Sequence, residues 1–422
     1  MFAPEEGEVM ITVKEVLAAQ NRIGPFIHKT PLMRSSSLSE ATGADVFIKA
    51  ENLQKTGAFK VRGAFNKMIG MNEDAVITAS MGNHAQAVAF AARETGIKAK
   101  IVMPVVVSII KEEATRGYGA EVILKGADLG QSLDFALSQK QYPFIHPFDD
   151  DAVIAGQGTI GLEIMDELNN VDAILVPVGG GGLVAGVGAA VKALSPSTQI
   201  IGVVTESAPA AYRSFLERKL LECPPRPTVA DGVKVGKLGD RPFRMIIRYV
   251  DDIILVAEDM VALGVLLLME RAKMVVEGAG ALPLAALLSH KERFKGKRVV
   301  LVASGGNIDF TVIDRIVRRG LVTNGRIVTF DVVADDIPGN LRDLTSLIAG
   351  LRANILDVSH NRLTQSLPLE KTLVTFTIEV RSREDGEALF ARLRAKGFVT
   401  RDSSRFITGA TRTTGAIDDV LH

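Results

Sequence analysis

Val176 to Val187 reads VPVGGGGLVAGV, an apolar run that stops at four consecutive glycines and resumes as a helical pattern. Ile174-Leu175-Val176 has the length and apolar character of a buried strand. Gly179, Gly180, Gly181 and Gly182 put no side chain between that strand and the helix, so several backbone amides can converge on an anion such as a phosphate. Strand, glycine turn and helix in this order is one half-unit of an α/β fold, in which ligands bind beyond the C-terminal ends of strands. Two other readings compete. Ala173 to Val191 carries no charge, but Pro177 and the glycines oppose a membrane span, which needs ~20 apolar residues in one helix. Gly180, Gly182 and Ala185 also fit the dinucleotide pattern G-x-G-x-x-G/A. Glu206 lies roughly where a ribose-binding acid belongs, about 20 residues on.

Moving outward, the same alternation recurs. Val46-Phe47-Ile48, Ala75-Val76-Ile77, Lys100-Ile101-Val102, Glu121-Val122-Ile123, Ile201 to Val204 and Val299 to Val302 read as buried strands. Ala85 to Thr95, Leu129 to Gln139 and Gly161 to Leu168 read as helices between them. The expected class is α/β, with parallel sheets covered on both faces. After Gly325 the order changes to strand (Ile327–Val333), helix (Leu341–Leu351), strands (Ile355–Val358 and Leu373–Ile378), helix (Glu387–Lys396) and strand (Phe398–Thr400). That β-α-β-β-α-β order is a ferredoxin-like unit. The expected division is 1–320, with a smaller subdomain at about 55–150 inserted in a larger one, then 326–405 and a tail at 406–422. Gly320–Gly325 is the expected linker.

Composition narrows the class further. The 422 residues are 47% hydrophobic and 23% charged, as in an ordinary globular protein. Lys plus Arg and Asp plus Glu both number 49, and no basic cluster offers a footprint for nucleic acid. Cys223 is the only cysteine, so neither an internal disulfide nor a cysteine zinc site can form. The acidic start MFAPEEGEVM lacks a basic-then-apolar pattern, so no signal peptide is expected and a cytoplasmic location is.

Three more segments could carry chemistry. In KTGAFKVRGAFN, Lys55–Asn66, Lys60 follows Phe59 among small residues. A Schiff-base lysine needs such a partly desolvated place, although an exposed lysine at a helix start reads the same way. In SMGNHAQAVAF, Ser80–Phe90, hydroxyl, amide and imidazole gather at a helix start that would favour a carboxylate, or simply cap the helix. In SGGNID, Ser304–Asp309, a serine directly after a strand could meet a ring nitrogen or sit in a plain Gly-Gly turn.

Together and in order, the four segments resemble the fold-type II pyridoxal-phosphate enzymes, the tryptophan-synthase-β-like group, and within it the threonine/serine dehydratase branch. TPLMRSSSLSE (Thr30–Glu40), IHPFDD (Ile145–Asp150), AGQGTIGLEI (Ala155–Ile164) and VVEGAGALPLAAL (Val275–Leu287) extend the resemblance. It implies that Lys60 holds pyridoxal phosphate covalently and later takes the substrate α-proton. Phe59 would pack on the ring, Asn83 would contact the ring hydroxyl, and Gly179–Gly182 would bind the phosphate. Ser304 would meet the pyridine nitrogen as a neutral partner that does not enforce a ring proton. Ser80, Asn83 and His84 would bind the substrate carboxylate. The implied reaction is β-elimination of L-threonine or L-serine to 2-oxobutanoate or pyruvate and ammonia. Met81 stands where related racemases carry an acid/base serine, which opposes racemisation. Glu206 and Ala210 fit part of those racemases' cation site, but Tyr212 replaces its second acid, so no metal is expected. DDIPGNLRDLTSLIAGLRANI, Asp335–Ile355, resembles an ACT domain. That implies a small amino-acid effector near Gly339, Asn340 and Asn354, or a domain that only mediates assembly. A homodimer or homotetramer is expected. A nicotinamide-dependent amino-acid dehydrogenase and a non-catalytic amino-acid sensor remain the alternatives.

Overall fold

Short β-branched runs that end in glycine or proline build two parallel sheets in the first part of the chain. A computed structural model describes residues 10–362 and 367–402. The strands are β1 (Leu32–Arg34), β2 (Asp45–Lys49), β3 (Ala75–Ala79), β4 (Lys98–Met103), β5 (Glu121–Leu124), β6 (Ala173–Pro177), β7 (Gln199–Thr205), β8 (Asp252–Val256) and β9 (Arg298–Val302). The larger sheet has the order β1-β2-β9-β6-β7-β8 and the smaller one β3-β4-β5. Every pairing is parallel except β1 with β2. The chain leaves the larger sheet after β2, builds the smaller sheet, and returns at β6.

Burial explains why these strands read as unbroken apolar runs. All of β6, and all of β7 after Gln199, are buried, as expected for strands covered on both faces. Val176, Val187, Val204 and Val300 belong to the core around the larger sheet. Phe65 and Phe90 anchor the core around the smaller one. The Phe26 and Phe65 rings stack there at 5.1 Å.

Two strands lie outside the sequence reading. β1 is a three-residue antiparallel edge with no apolar period. β8 does carry a readable signal, Ile253 to Val256, of the same kind as its neighbours. The helix expected to begin at Gly161 begins at Asp151, where the Asp150 side chain accepts from the Val153 amide at 3.1 Å. Gly156, Gly158 and Gly161 resemble helix breakers in sequence but are points of close packing. A Cβ on Gly156 would stand 2.6 Å from the Arg62 carbonyl oxygen, and one on Gly158 would stand 2.8 Å from that of Gly186.

The chain divides into two compact units, Met1–Asp309 and Phe310–His422. The break precedes the expected boundary at 320. A helix, Phe310–Thr323, runs through Gly320, so the expected linker is that helix's last turn and the turn after it, where Gly325 has φ +67. The second unit continues with β10 (Ile327–Asp335), a helix (Asn340–Ala349), β11 (Asn354–Asn361), β12 (Lys371–Glu379), a helix (Arg383–Ala395) and β13 (Val399–Asp402). Its sheet has the order β11-β12-β10-β13, antiparallel throughout. Strict alternation along β10 and β12 turns Phe330, Val332, Phe376 and Ile378 toward Leu344, Ile348, Leu389 and Leu393 of the two helices. The tail expected at 406–422 lies outside the described residues. Among the described residues no helix is long and apolar enough to cross a membrane.

Candidate active site

Lys60 owes its position to two loops laid side by side. After β2 the chain makes a 3-10 turn and reverses at Gly57, φ +71, where a Cβ would meet Asn307 Oδ1 at 2.5 Å. Ala58 bridges Gly305, and the Phe59 amide donates to the Ser304 carbonyl at 3.0 Å. Lys60 then opens the helix Lys60–Met68. Its Nζ donates to the Pro147 carbonyl at 2.8 Å and stands 5.2 Å from the centre of the Phe59 ring. Burial pushes its ammonium down to about 8, against the opposing pull of Glu277.

One helical turn is locked by a buried charge network. Arg62 donates through Nε and Nη2 to Glu51 at 2.8 and 2.7 Å, and through Nη1 and Nη2 to Glu163 at 2.6 and 2.9 Å. Lys49 pairs with Glu163 at 2.7 Å. Glu51, Arg62 and Glu163 come from three separate elements, so the lysine-bearing helix is fixed to its neighbours two residues beyond Lys60.

The helix Asn83–Thr95 starts at Gly82 with no side-chain cap, and Ser80 Oγ accepts from the Gly82 amide at 3.3 Å. Asn83 Nδ2 donates to both Glu277 oxygens at 2.8 and 3.0 Å, while its Oδ1 accepts from Asn307 Nδ2 at 2.8 Å. His84 is buried with Nε2 2.9 Å from the Ile145 carbonyl. A carbonyl accepts, so Nε2 carries the ring proton. Burial, and then Lys60, push this imidazole down to about 3, which makes it neutral. The ring N–H is thus committed to Ile145, while the His84 backbone amide lies in the first turn of the helix, where it has no partner within that helix.

Gly181, φ +94, caps the helix Gly182–Leu194 without any side-chain bond, so the first amides of that helix have no partner within it. A Cβ on Gly180 would lie 2.3 Å from the Phe148 ring. The IHPFDD loop thus meets Lys60 through Pro147 and the glycine turn through Phe148. Ser304 is buried immediately after β9. Lys60, Phe59, Asn83, Gly179–Gly182 and Ser304 consequently belong to one connected set.

Three members of that surround carry no assignment from sequence. Glu277 is buried, and burial pushes its carboxyl up to about 7. Its signal was a lone acid inside the apolar run Val275–Leu288. Asn307 donates to the Thr56 carbonyl as well as to Asn83, both at 2.8 Å. His146 Nδ1 accepts from the amides of Phe148 and Asp149 at 3.2 and 2.7 Å, and burial lowers its pKa.

The donor set fits pyridoxal phosphate. It offers a desolvated amine for the aldehyde, an uncapped glycine-lined helix start for the phosphate, and a neutral hydroxyl for the ring nitrogen. Elsewhere, Glu206 is exposed and Tyr212 packs against the larger core. Among the described residues no group of three or more His, Cys, Asp or Glu is placed to hold a metal. In the second unit Gly339, φ +104, starts the Asn340–Ala349 helix with no side-chain cap. Asn354 pairs with Glu379, at the Ile327 end of the sheet, whereas Gly339 and Asn340 follow Asp335 at the other end. The helix carries the chain back along the sheet, so Asn354 does not join Gly339 and Asn340 within one copy.

Comparison with known proteins agrees with this geometry. The family model described as "Pyridoxal-phosphate dependent enzyme" matches residues 23–305. The L-threonine ammonia-lyase of Thermotoga maritima is 44% identical over 93% of this chain and 99% of its own. That of Geobacter sulfurreducens is 43% identical over 92% and 99%. The crystal structure of a threonine deaminase from T.th. is similar over 71% of this chain and 99% of its own, at 44% identity and TM-score 0.68. Maize serine racemase covers 74% and 98%, at 33% identity and TM-score 0.69. The amine, the glycine cradle and these relatives converge on one statement: the chain belongs to the family of pyridoxal-phosphate-dependent enzymes.

Proposed function

We propose that the chain is an L-threonine ammonia-lyase that also takes L-serine, releasing 2-oxobutanoate or pyruvate together with ammonia. The observation that carries this reading is the placement of Lys60: its Nζ stands 5.2 Å from the Phe59 ring centre and bonds the Pro147 carbonyl, on a loop tied to Ser304, and burial lowers its ammonium to about 8. Pyridoxal phosphate, when bound, supplies an electron-poor ring that acidifies the substrate α C–H. Gly179–Gly182 would hold its phosphate, Phe59 would lie along the ring, Asn83 would meet the ring hydroxyl and Ser304 Oγ the ring nitrogen. The free amides at the start of the Asn83–Thr95 helix, with the Ser80 hydroxyl, suit the substrate carboxylate. Lys60 Nζ takes the α-proton. The electron pair of that C–H would become a Cα–Cβ double bond as the β C–O bond breaks, and the hydroxyl would leave as water with the proton returned by the Lys60 ammonium. The released enamine tautomerises and is hydrolysed to the 2-oxo acid and ammonia. Met81 has no proton to deliver to the opposite face, which favours elimination over racemisation. The nicotinamide reading explains neither the Lys60 segment nor the Asn83 segment.

Replacing the amine tests this. Lys60→Ala is expected to lose the violet absorption of the bound cofactor and to slow ammonia release from L-threonine by at least about 10³-fold, within the range of lost general-base catalysis. An alanine variant with wild-type turnover would remove Lys60 from the reaction.

The second unit supports a further reading as an ACT-like regulatory domain. Its strand order and the uncapped helix start at Gly339–Asn340 suit a small amino acid's carboxylate. Branched-chain amino acids are the first effectors to try, and assembly as a homodimer or homotetramer accompanies this reading.

A further inference from the structure

We propose that Glu277 is a positioning residue for the chemistry at Lys60: it holds the Asn83 side chain and supplies the negative charge that keeps a proton on Lys60 Nζ. The inference rests on Lys60 being the cofactor-bearing amine. The geometry is specific. Glu277 accepts from Asn83 Nδ2 with both carboxylate oxygens, at 2.8 and 3.0 Å. Its own amide donates to the Gly305 carbonyl at 2.9 Å, which ties it to the loop that follows Ser304. The neighbouring walls are glycine: a Cβ on Gly305 would stand 2.6 Å from Glu277 Oε1, and one on Gly232 would stand 3.4 Å away. The carboxyl thus fills the space that the missing side chain of Gly305 leaves open.

A buried carboxylate with a single amide donor is incompletely compensated, so it needs a nearby positive charge. The charged groups that bear on it are Lys60, Asp231 and Lys111. Lys111 and Asp231 pair with each other at 3.1 Å. Among the described residues Lys60 Nζ bonds a carbonyl and no carboxylate, so it is the cation left to face Glu277. Each group therefore favours the charged form of the other. Burial raises Glu277 to about 7 and lowers Lys60 to about 8, so from about pH 7 to 8 the carboxylate is charged while Lys60 still holds its proton.

The test follows the Lys60 amine directly. Enzyme stripped of its cofactor is mixed with pyridoxal phosphate, and recovery of the violet band is timed between pH 6 and 10. Only the neutral amine combines, so the wild-type rate should rise with a midpoint near 8. Glu277→Gln should move that midpoint down by about one unit or more, because the favourable charge is gone. Glu277→Asp keeps the charge but shortens the reach to Asn83, so it should slow recombination while leaving the midpoint near that of the wild type. A purely structural role predicts that Gln and Asp slow the rate equally at every pH without moving the midpoint, and that result overturns the proposal. Should Glu277→Gln fail to fold, Glu277→Asp decides alone: a midpoint that drops by about one unit although the charge is retained overturns the proposal equally. A wild-type rate with no midpoint near 8, together with covalent capture by Lys60→Ala, would instead refute Lys60 as the cofactor-bearing amine.

Discussion

Lys60 and Glu277 share surroundings that penalise charge of either sign, so one is pushed down and the other up toward neutrality. His84 lies in the same region with no carboxylate to compensate it, and it gives way completely. Its folded-state pKa of about 3 is depressed from 6.5 by burial first and by Lys60 next. The unfolded chain binds this proton below pH ~6.5 and the folded chain does not, so the stability linked to His84 is complete above that pH. It is lost as pH falls toward 3, at about 1.4 kcal/mol per pH unit for one proton. His84→Gln should therefore flatten the fall in unfolding free energy between pH 6 and 4 by about one proton's slope, leaving the share that belongs to His146. Urea titrations at three pH values, followed by circular dichroism, check this, and an unchanged slope would mean that His84 is charged in the folded state. Lys60, Phe59, Asn83 and Ser304 were candidates in sequence through the order of four motifs and the resemblance they carry, since each segment alone also reads as an ordinary turn or helix start. Glu277 and Asn307 were not, because their partner Asn83 is 194 and 224 residues away.

At the scale of elements, glycines do two jobs that look alike in sequence. Gly57, Gly181 and Gly339 take positive φ and turn the chain. Gly156, Gly158 and Gly186 lie inside helices and let backbones approach. A Cβ on Gly186 would stand 2.3 Å from the Ile154 carbonyl oxygen, which is backbone and cannot swing aside. Gly186→Ala should thus force the Gly182–Leu194 and Asp151–Glu167 helices apart, at about 1–3 kcal/mol. The denaturant midpoint should drop with no change in slope, whereas an unchanged midpoint would show that the contact relaxes freely. The same helices bear the glycine cradle and the Asp150 cap, so cofactor retention should weaken with stability. Local pattern located most strands of the parallel sheets, since runs buried on both faces need no partner to be recognised. It started the Asp151–Glu167 helix too late, because intrahelical glycine reads as a breaker until the neighbouring helix is known.

Across the whole molecule, the two units have separate cores and different sheet types. The threonine deaminase from T.th. aligns over 99% of its own length with only 71% of this chain. A chain ending at Asp309 should accordingly keep kcat for L-threonine within a few-fold. It should also lose any response to isoleucine or valine, which in the full chain is expected to shift substrate affinity by roughly 5- to 150-fold, a coupling of ~1–3 kcal/mol. Steady-state kinetics of both chains with and without each amino acid decide the matter, and a truncated enzyme that still responds would place the effector in the first unit. By itself the sequence determined the strand–helix alternation, the glycine turn, the lysine beside an aromatic ring, and the β-α-β-β-α-β order near the end. These are properties of contiguous residues, expressed through periodicity and backbone freedom. Only the tertiary structure decided that Glu277 faces Asn83, that the His84 proton is committed to Ile145, that the unit boundary falls at Asp309, and that Asn354 lies at the far end of the sheet from Gly339. Each of these depends on which surfaces meet after the chain has crossed from one element to another, and desolvation and pairing act on surfaces, not on neighbours in sequence.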